Sequence, residues 1–246
     1  MKNVTIAFDE DVILKNVNLT INEHELLVLI GPSGGGKSVL LKTMAGIYKP
    51  IEGEVFCEGE NLETLSPLRK HQLAQHLGMQ FQKSALFDSM SCYDNVAFPL
   101  REQGHFSESM VHNRVMECLE AVNLASSAKL FPHEISGGMR QRLGIARAIA
   151  MKPDIVFYDD PTAGLDPIHA DKIVELILDL KKKENSTVII VTHSMDVAYR
   201  LDGKIALVAD QGVLIIGNRE AAEAHPDPRV QQFIHGRLQG PLTPES

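Results

Sequence analysis

The sequence predicts an α/β fold: a parallel sheet flanked by helices, interrupted by an inserted helical lobe. Three observations carry that expectation. Residues 26–30, 154–160 and 186–194 contain short, nearly unbroken apolar runs, the pattern of strands buried on both faces. Between the last two runs, Ile173, Val174, Leu176, Ile177 and Leu180 recur at helical spacing. Alternating buried strands and amphipathic helices make parallel sheets. From about Lys83 to Ala150 strand signals vanish, and Val111, Val115, Leu119 and Val122 mark one face of a helix.

In chain order, residues 4–8 and 14–21 alternate apolar and polar side chains, as half-buried strands do. The apolar run LLVLI at 26–30 is broken by a glycine-rich stretch, 31–36. A helix pattern then follows with Val39, Leu40, Thr43 and Met44 on one face. Ser91-Cys-Tyr-Asp94 reads as a helix N-cap. Ser136-Gly-Gly precedes another helix in which Leu143, Ala146 and Ala150 face one way. Lys181, Lys182 and Lys183 suit a solvated helix C-terminus, where the macrodipole favours cations. Beyond the strand GVLIIG, residues 221–224 and 230–234 fit two short helices; in a passive terminus Phe233 and Ile234 would be odd exposed apolar residues, which favours docking. The closing GPLTPES fits an extended end.

With 246 residues, of which 44% are hydrophobic, the chain can bury the core of one domain with a lobe. A net charge of -8 argues against nucleic acid as a partner, because phosphate contacts need excess Lys and Arg. The three cysteines, Cys57, Cys92 and Cys118, are far apart and form no C-x-x-C pair, which fits reduced, buried thiols rather than a zinc knuckle or disulfides. No run approaches the roughly 20 apolar residues of a membrane-spanning helix. The first residues lack the apolar core of a signal peptide. The expectation is a cytoplasmic protein that serves a membrane only through a partner.

The stretch Gly31, Pro32, Ser33, Gly34, Gly35, Gly36, Lys37, Ser38 satisfies G-x-x-x-x-G-K-[ST] between a buried strand and a helix. Backbone N–H groups that wrap a triphosphate need close approach and positive φ, which glycine supplies freely. The helix N-terminus adds partial positive charge. Lys37 can then reach the β and γ phosphates, and the Ser38 hydroxyl can ligate Mg2+. Val39 opens the helix behind them. The expected ligands are ATP and Mg2+. Ser136, Gly137 and Gly138 form a second glycine-bearing helix start, hence a second anion site. Two such sites on one chain make sense if two copies meet head to tail, each closing the other's nucleotide.

These residues, in this order, resemble the ATP-binding subunit of an ABC transporter over nearly the whole chain. The resemblance implies a P-loop NTPase fold of the ABC type, with an antiparallel β subdomain and an inserted helical lobe. Residues 1–82 and 151–218 would form the core, 83–150 the helical signature lobe, and 219–246 a tail. It makes residues 31–38 the Walker A loop and 136–139 the signature loop, with Met139 where glutamine is common. Gln82 matches the Q-loop glutamine, which senses Mg2+ and the transmembrane partner. Asp159 matches the Walker B aspartate that holds Mg2+ through water. Asp166 lies in the D-loop at the dimer interface, His193 matches the switch histidine, and Phe8 the aromatic that stacks on adenine. The implied catalytic residues are Asp160, His193 and Gln82.

Asp160 departs from the glutamate usual in the family, and its arm is shorter by roughly 1.5 Å. Three readings are open: the backbone shifts inward and hydrolysis proceeds, the water is held through His193 with slower turnover, or ATP is bound and barely cleaved. A single cassette resembles a transporter subunit that works with a separate permease on the cytoplasmic face of the inner membrane. Residues 81–102, 158–168 and the tail resemble the Mla-type cassettes that move phospholipid with MCE-domain proteins. The plainer alternative is that Phe87, Met90 and Phe98 in the first of these strings are simply lobe core or generic permease contacts. The alternatives are an importer of a small polar solute, such as an amino acid, and a soluble ATP-dependent regulator. The tail is expected to dock on a partner cassette or a small regulator.

Overall fold

A computed structural model describes residues 1–243. The last three residues of the expected extended end, 244–246, lie outside the described residues. The chain divides into two compact units, Met1–Gln72 with Thr187–Ser246, and Leu73–Ser186. The 83–150 segment falls wholly inside the second.

The first unit opens with a hairpin of β1 (Lys2–Phe8) and β2 (Asp11–Val17), then β3 (Leu26–Ile30) and α1 (Lys37–Met44). Short strands β4 (Glu52–Glu54), β5 (Phe56–Cys57) and β6 (Glu60–Asn61) lead to α2 (Pro67–Ala74), in which the division falls. The second unit holds β7 (Leu77–Gln80), α3 (Cys92–Glu102), α4 (Glu108–Ala121), α5 (Gly137–Ala148), β8 (Ile155–Asp159) and α6 (Pro167–Glu184). The chain then returns to the first unit with β9 (Thr187–Val191), α7 (Met195–Leu201), β10 (Lys204–Ala209), β11 (Gly212–Gly217), α8 (Arg219–Glu223) and α9 (Pro228–Ile234).

In the first unit β10, β3 and β9 run parallel with β3 central, and β11 closes the edge antiparallel. All five residues of β3 and of β9 are buried, as continuous apolar runs require. A separate antiparallel sheet has the order β2-β1-β4. The second strand runs from Asp11 to Val17 rather than over residues 14–21: the tight turn at Asp9, with φ of 52°, starts it earlier, and its pairing with β1 runs from Asp11 opposite Phe8 to Val17 opposite Val4. The buried face of α1 is Leu40, Leu41, Thr43 and Met44, with Val39 only half-buried. Packing against β9 sets that rotation, which spacing alone left undetermined.

In the second unit β7 and β8 pair in parallel. The expected helix appears as α4, with Val111, Val115, Leu119 and Val122 all buried. Ser91 caps α3 by accepting from the Asp94 N–H at 3.0 Å. Arg114 of α4 donates to the carbonyls of Ile149 (2.6 Å) and Ala150 (2.9 Å), beyond the C-terminal end of α5, where orphan carbonyls need donors. The same guanidinium, with Lys183 adding to it, holds the Glu117 carboxyl at about 2.

The three cysteines are free and buried, and burial pushes the thiols of Cys57 and Cys118 up to about 11. The tail packs on its own unit, with Ala222 and Val230 fully buried. Phe233 and Ile234 are half-buried, not exposed, because α9 folds back beside α8.

Candidate functional site

The site begins where β3 ends. Gly31 holds φ of 144°, and a Cβ there would stand 2.2 Å from the Val208 carbonyl oxygen of β10, so no other residue fits. Ser33 and Gly34 form the exposed crest of the loop, and Pro32 and Gly35 its half-buried flanks. Gly36, at φ of 93°, is the N-cap of α1 and offers no capping side chain. In contrast, Ser91, Ser107, Ser136, Asp166, Ser194, Asn218 and Asp227 cap helices with their side chains. The start of α1 therefore carries no capping side chain at its N-cap, the kind of helix start that suits an anion.

Lys37 is 4% exposed, and its Nζ donates to the carbonyl oxygens of Gly31 (2.8 Å) and Pro32 (2.7 Å). The ammonium thus lies folded against the loop, with the half-buried Ser38 and Val39 following. His193 lies just past β9: the Thr192 N–H donates to the Leu29 oxygen at 3.1 Å, which places this turn beside the end of β3. Its side chain is exposed, and the next residue, Ser194, caps α7. Phe8, 42% exposed, meets the Tyr48 ring edge-on at 5.1 Å. Sequence reasoning missed Tyr48, which carries no motif and is placed beside Phe8 only by folding.

The second unit carries the remaining residues. β8 delivers Asp159 and Asp160, 2% and 6% exposed, at its C-terminal end. Asp160 has φ of 48°, the left-handed region that aspartate tolerates better than most residues. The turn behind it is closed by the Ala163 N–H on the Asp160 oxygen at 3.1 Å. Asp166 caps α6, its Oδ1 accepting from the N–H groups of Ile168 (3.0 Å) and His169 (3.1 Å). Its Oδ2 meets His169 Nδ1, and that bond holds the carboxyl below its usual range.

Ser136 caps α5, accepting from the Met139 N–H at 3.3 Å. Gly137 is exposed and Gly138 half-buried beside Leu165 and His169. A cavity of about 470 Å3 joins Ser136, Gly138 and Met139 to Leu165 and His169. Gln82 is exposed on the loop after β7. Phe87 and Phe98 pack ring to ring at 4.7 Å, with the Arg147 guanidinium 5.6 Å from the Phe87 centroid, so these two aromatics are at once lobe packing and partly open surface.

The structure therefore gathers residues 31–39, His193 and Phe8 on one unit, and Gln82, Ser136, Gly137, Gly138, Asp159, Asp160 and Asp166 on the other. Among the described residues no cluster of three or more His, Cys, Asp or Glu side chains forms a metal cage. The Ser38 hydroxyl on the first unit, and the Gln82 amide and Asp159 carboxylate on the second, each offer the oxygen donor that a hard cation takes.

The sequence model of the ABC transporter family matches residues 14–163. The chain is 38% identical over 242 residues to the intermembrane phospholipid transport system ATP-binding protein MlaF of Escherichia coli (strain K12), covering 98% of this chain and 90% of that one. It is also 38% identical to the probable ribonucleotide transport ATP-binding protein mkl of Mycobacterium leprae, covering 98% of this chain and 70% of the relative. The dimeric, post-hydrolysis structure of the ATP-binding cassette MJ0796, bound to ADP and Pi, aligns with a TM-score of 0.78 at 35% identity, over 86% of this chain and 94% of that one.

Proposed function

The chain belongs to the ABC transporter family, and on that premise we propose that it hydrolyses ATP to move phospholipid through a separate membrane permease. The observation that carries the ATPase is the glycine loop of residues 31–36 leading, with no capping side chain at Gly36, into the nearly buried Lys37 at the head of α1. The phospholipid assignment rests on the likeness to MlaF along 98% of the chain. The chain works as one ATPase domain, with 83–150 as its helical lobe. It sits peripherally on the cytoplasmic face of the inner membrane; among the described residues no helix is long and apolar enough to cross a membrane. An MCE-domain protein is the expected lipid-binding component, and the tail docks on the partner cassette or a small regulator.

Residues 31–36 wrap the phosphates with N–H groups while Lys37 leaves its two loop carbonyls for the β and γ oxygens. Bound with ATP, Mg2+ supplies Lewis-acid neutralisation of phosphate charge, and Ser38, Gln82 and Asp159 would hold it. Asp160 accepts the proton of the attacking water, and His193 contacts the γ-phosphate. Ser136, Gly137 and Gly138 close on the nucleotide of a second copy, with Asp166 at that interface. Contacts that exist only in the closed dimer let ATP shift the population toward closure.

Phe8 stacks on adenine, and Phe8→Ala raises KM for ATP about fivefold, the low end for base stacking on a half-open ring, with kcat little changed. Steady-state kinetics with ATP and GTP check this. Equal factors for both fit stacking, and an unchanged KM removes Phe8 from the site.

Cargo is tested on the complex purified with its permease. ATP-driven transfer of a fluorescent phospholipid between vesicles supports the phospholipid reading. Stimulation of turnover by ribonucleotides or amino acids, without lipid transfer, replaces it with a polar-solute importer. Hydrolysis by a chain that captures no permease replaces it with a soluble regulator.

A further inference from the structure

Gln80 sits in β7, two residues before Gln82, and its side chain is completely buried. An amide in such a place must find partners for two donors and one acceptor. Nε2 donates to the Phe81 carbonyl at 2.8 Å and to Gln141 Oε1 at 2.9 Å. Oε1 has no hydrogen-bond partner. Rotating the amide by 180° would set that oxygen against the two oxygens Nε2 now serves, so the orientation is determined by its surroundings.

Gln141, on the first half of α5, spends its own amide on the same loop. Its Oε1 also accepts from Ser84 Oγ at 3.0 Å, and its Nε2 donates to the Gln82 carbonyl at 3.4 Å. One turn on, Gly144 leaves so little room that a Cβ would approach Ser84 Cβ to 3.2 Å. A further turn on, Arg147 donates to the carbonyls of Ser84 (2.7 Å) and Ala85 (2.8 Å). Ser84 and Ala85 are held at φ of 57° and 43°, conformations that persist only where neighbours over-determine them.

We propose that Gln80 is a positioning residue: through Gln141 it locks the Gln82 loop to α5, so that the loop and the Ser136 end of that helix move as one piece. Leucine would fill the same volume without burying an unpartnered oxygen, so the amide serves the link rather than the packing of β7. The vacant acceptor also lowers the cost of opening, because an opened clamp admits water to Oε1. A displacement of the Gln82 loop is then carried from Gln141 to the Ser136 cap over five residues of α5, about 7.5 Å. This inference rests on the ATPase reading for its consequence, but not for its geometry.

The test compares the full-length chain with Gln80→Leu, Gln141→Leu and the double variant, with melting confirming the fold. Hydrogen exchange is read without nucleotide at the Ser84 amide, which the Phe81 carbonyl protects at 2.7 Å. Gln80→Leu accelerates exchange there about fivefold, the factor for one neutral hydrogen bond; Gln141→Leu, which also loses its bonds to Ser84 and the Gln82 carbonyl, accelerates it more, and the double variant goes no further than Gln141→Leu. In turnover assays kcat falls about fivefold at unchanged KM for ATP, again without addition in the double variant. Unchanged exchange at Ser84 in Gln80→Leu, or fully additive effects, overturns the proposal. A parent chain that binds no ATP overturns the ATPase reading instead, while the exchange result still decides the clamp.

Discussion

Lys37→Ala weakens ATP binding by at least about 100-fold and removes turnover, the size expected for losing hydrogen bonds to a charged ligand at about 1.5–3 kcal/mol each. The ammonium is nearly buried, and its two loop carbonyls keep it in place rather than dispersed in water. When the phosphate arrives, the ammonium exchanges those two carbonyls for phosphate oxygens without leaving the loop. Alanine is well tolerated in the first turn of a helix, so the variant keeps its fold. Calorimetric titration of ATP into both proteins measures the loss directly. Retention of more than a tenth of the parent affinity would place the phosphate somewhere other than this loop.

Asp160→Asn lowers kcat about 100- to 10,000-fold while ATP binding stays near the parent value, as expected when a general base is removed and its shape kept. The carboxylate is buried at the end of β8, where little solvent competes for the proton. Asp160→Glu separates the first reading of the short arm from the other two. A parent that turns over ATP and loses rate in the glutamate variant has a backbone set for aspartate. The φ of 48° supports that outcome, because aspartate accepts the left-handed region more readily than glutamate. A parent with slow or no turnover that glutamate accelerates is a chain held in the ATP-bound state by one missing methylene. Turnover in Asp160→Asn equal to the parent would remove the residue from the proton transfer.

Much of this was legible in the chain because the signals are local. A buried strand, a glycine loop and a helix start lie within 18 consecutive residues, 29–46, so each constrains the next. The Ser91 cap and the α4 stripe of Val111, Val115, Leu119 and Val122 were legible for the same reason, since capping and helical periodicity act over a few residues. Signals that depend on a neighbour far along the chain were not. Gln80 and Gln82 look alike in the sequence, yet one is buried in a clamp and the other is exposed. The α1 face was misjudged by one residue, Leu41 for Val39, because its rotation is set by β9. The tail apolars Phe233 and Ile234 are half-buried within the chain because α9 folds back beside α8, a contact no local rule predicts.

The amino-acid sequence by itself determined the α/β class, the phosphate-binding loop, the family and the order of the motif residues. Each is written in nearest-neighbour chemistry: periodicity, glycine φ, capping and charge. Only the tertiary structure decided that Lys37 lies against its loop carbonyls, that Asp160 is held left-handed, and that Gln80 reaches Gln141. Those depend on which distant backbone closes over a side chain, and burial turns an ordinary amide or ammonium into one whose few partners are obligatory.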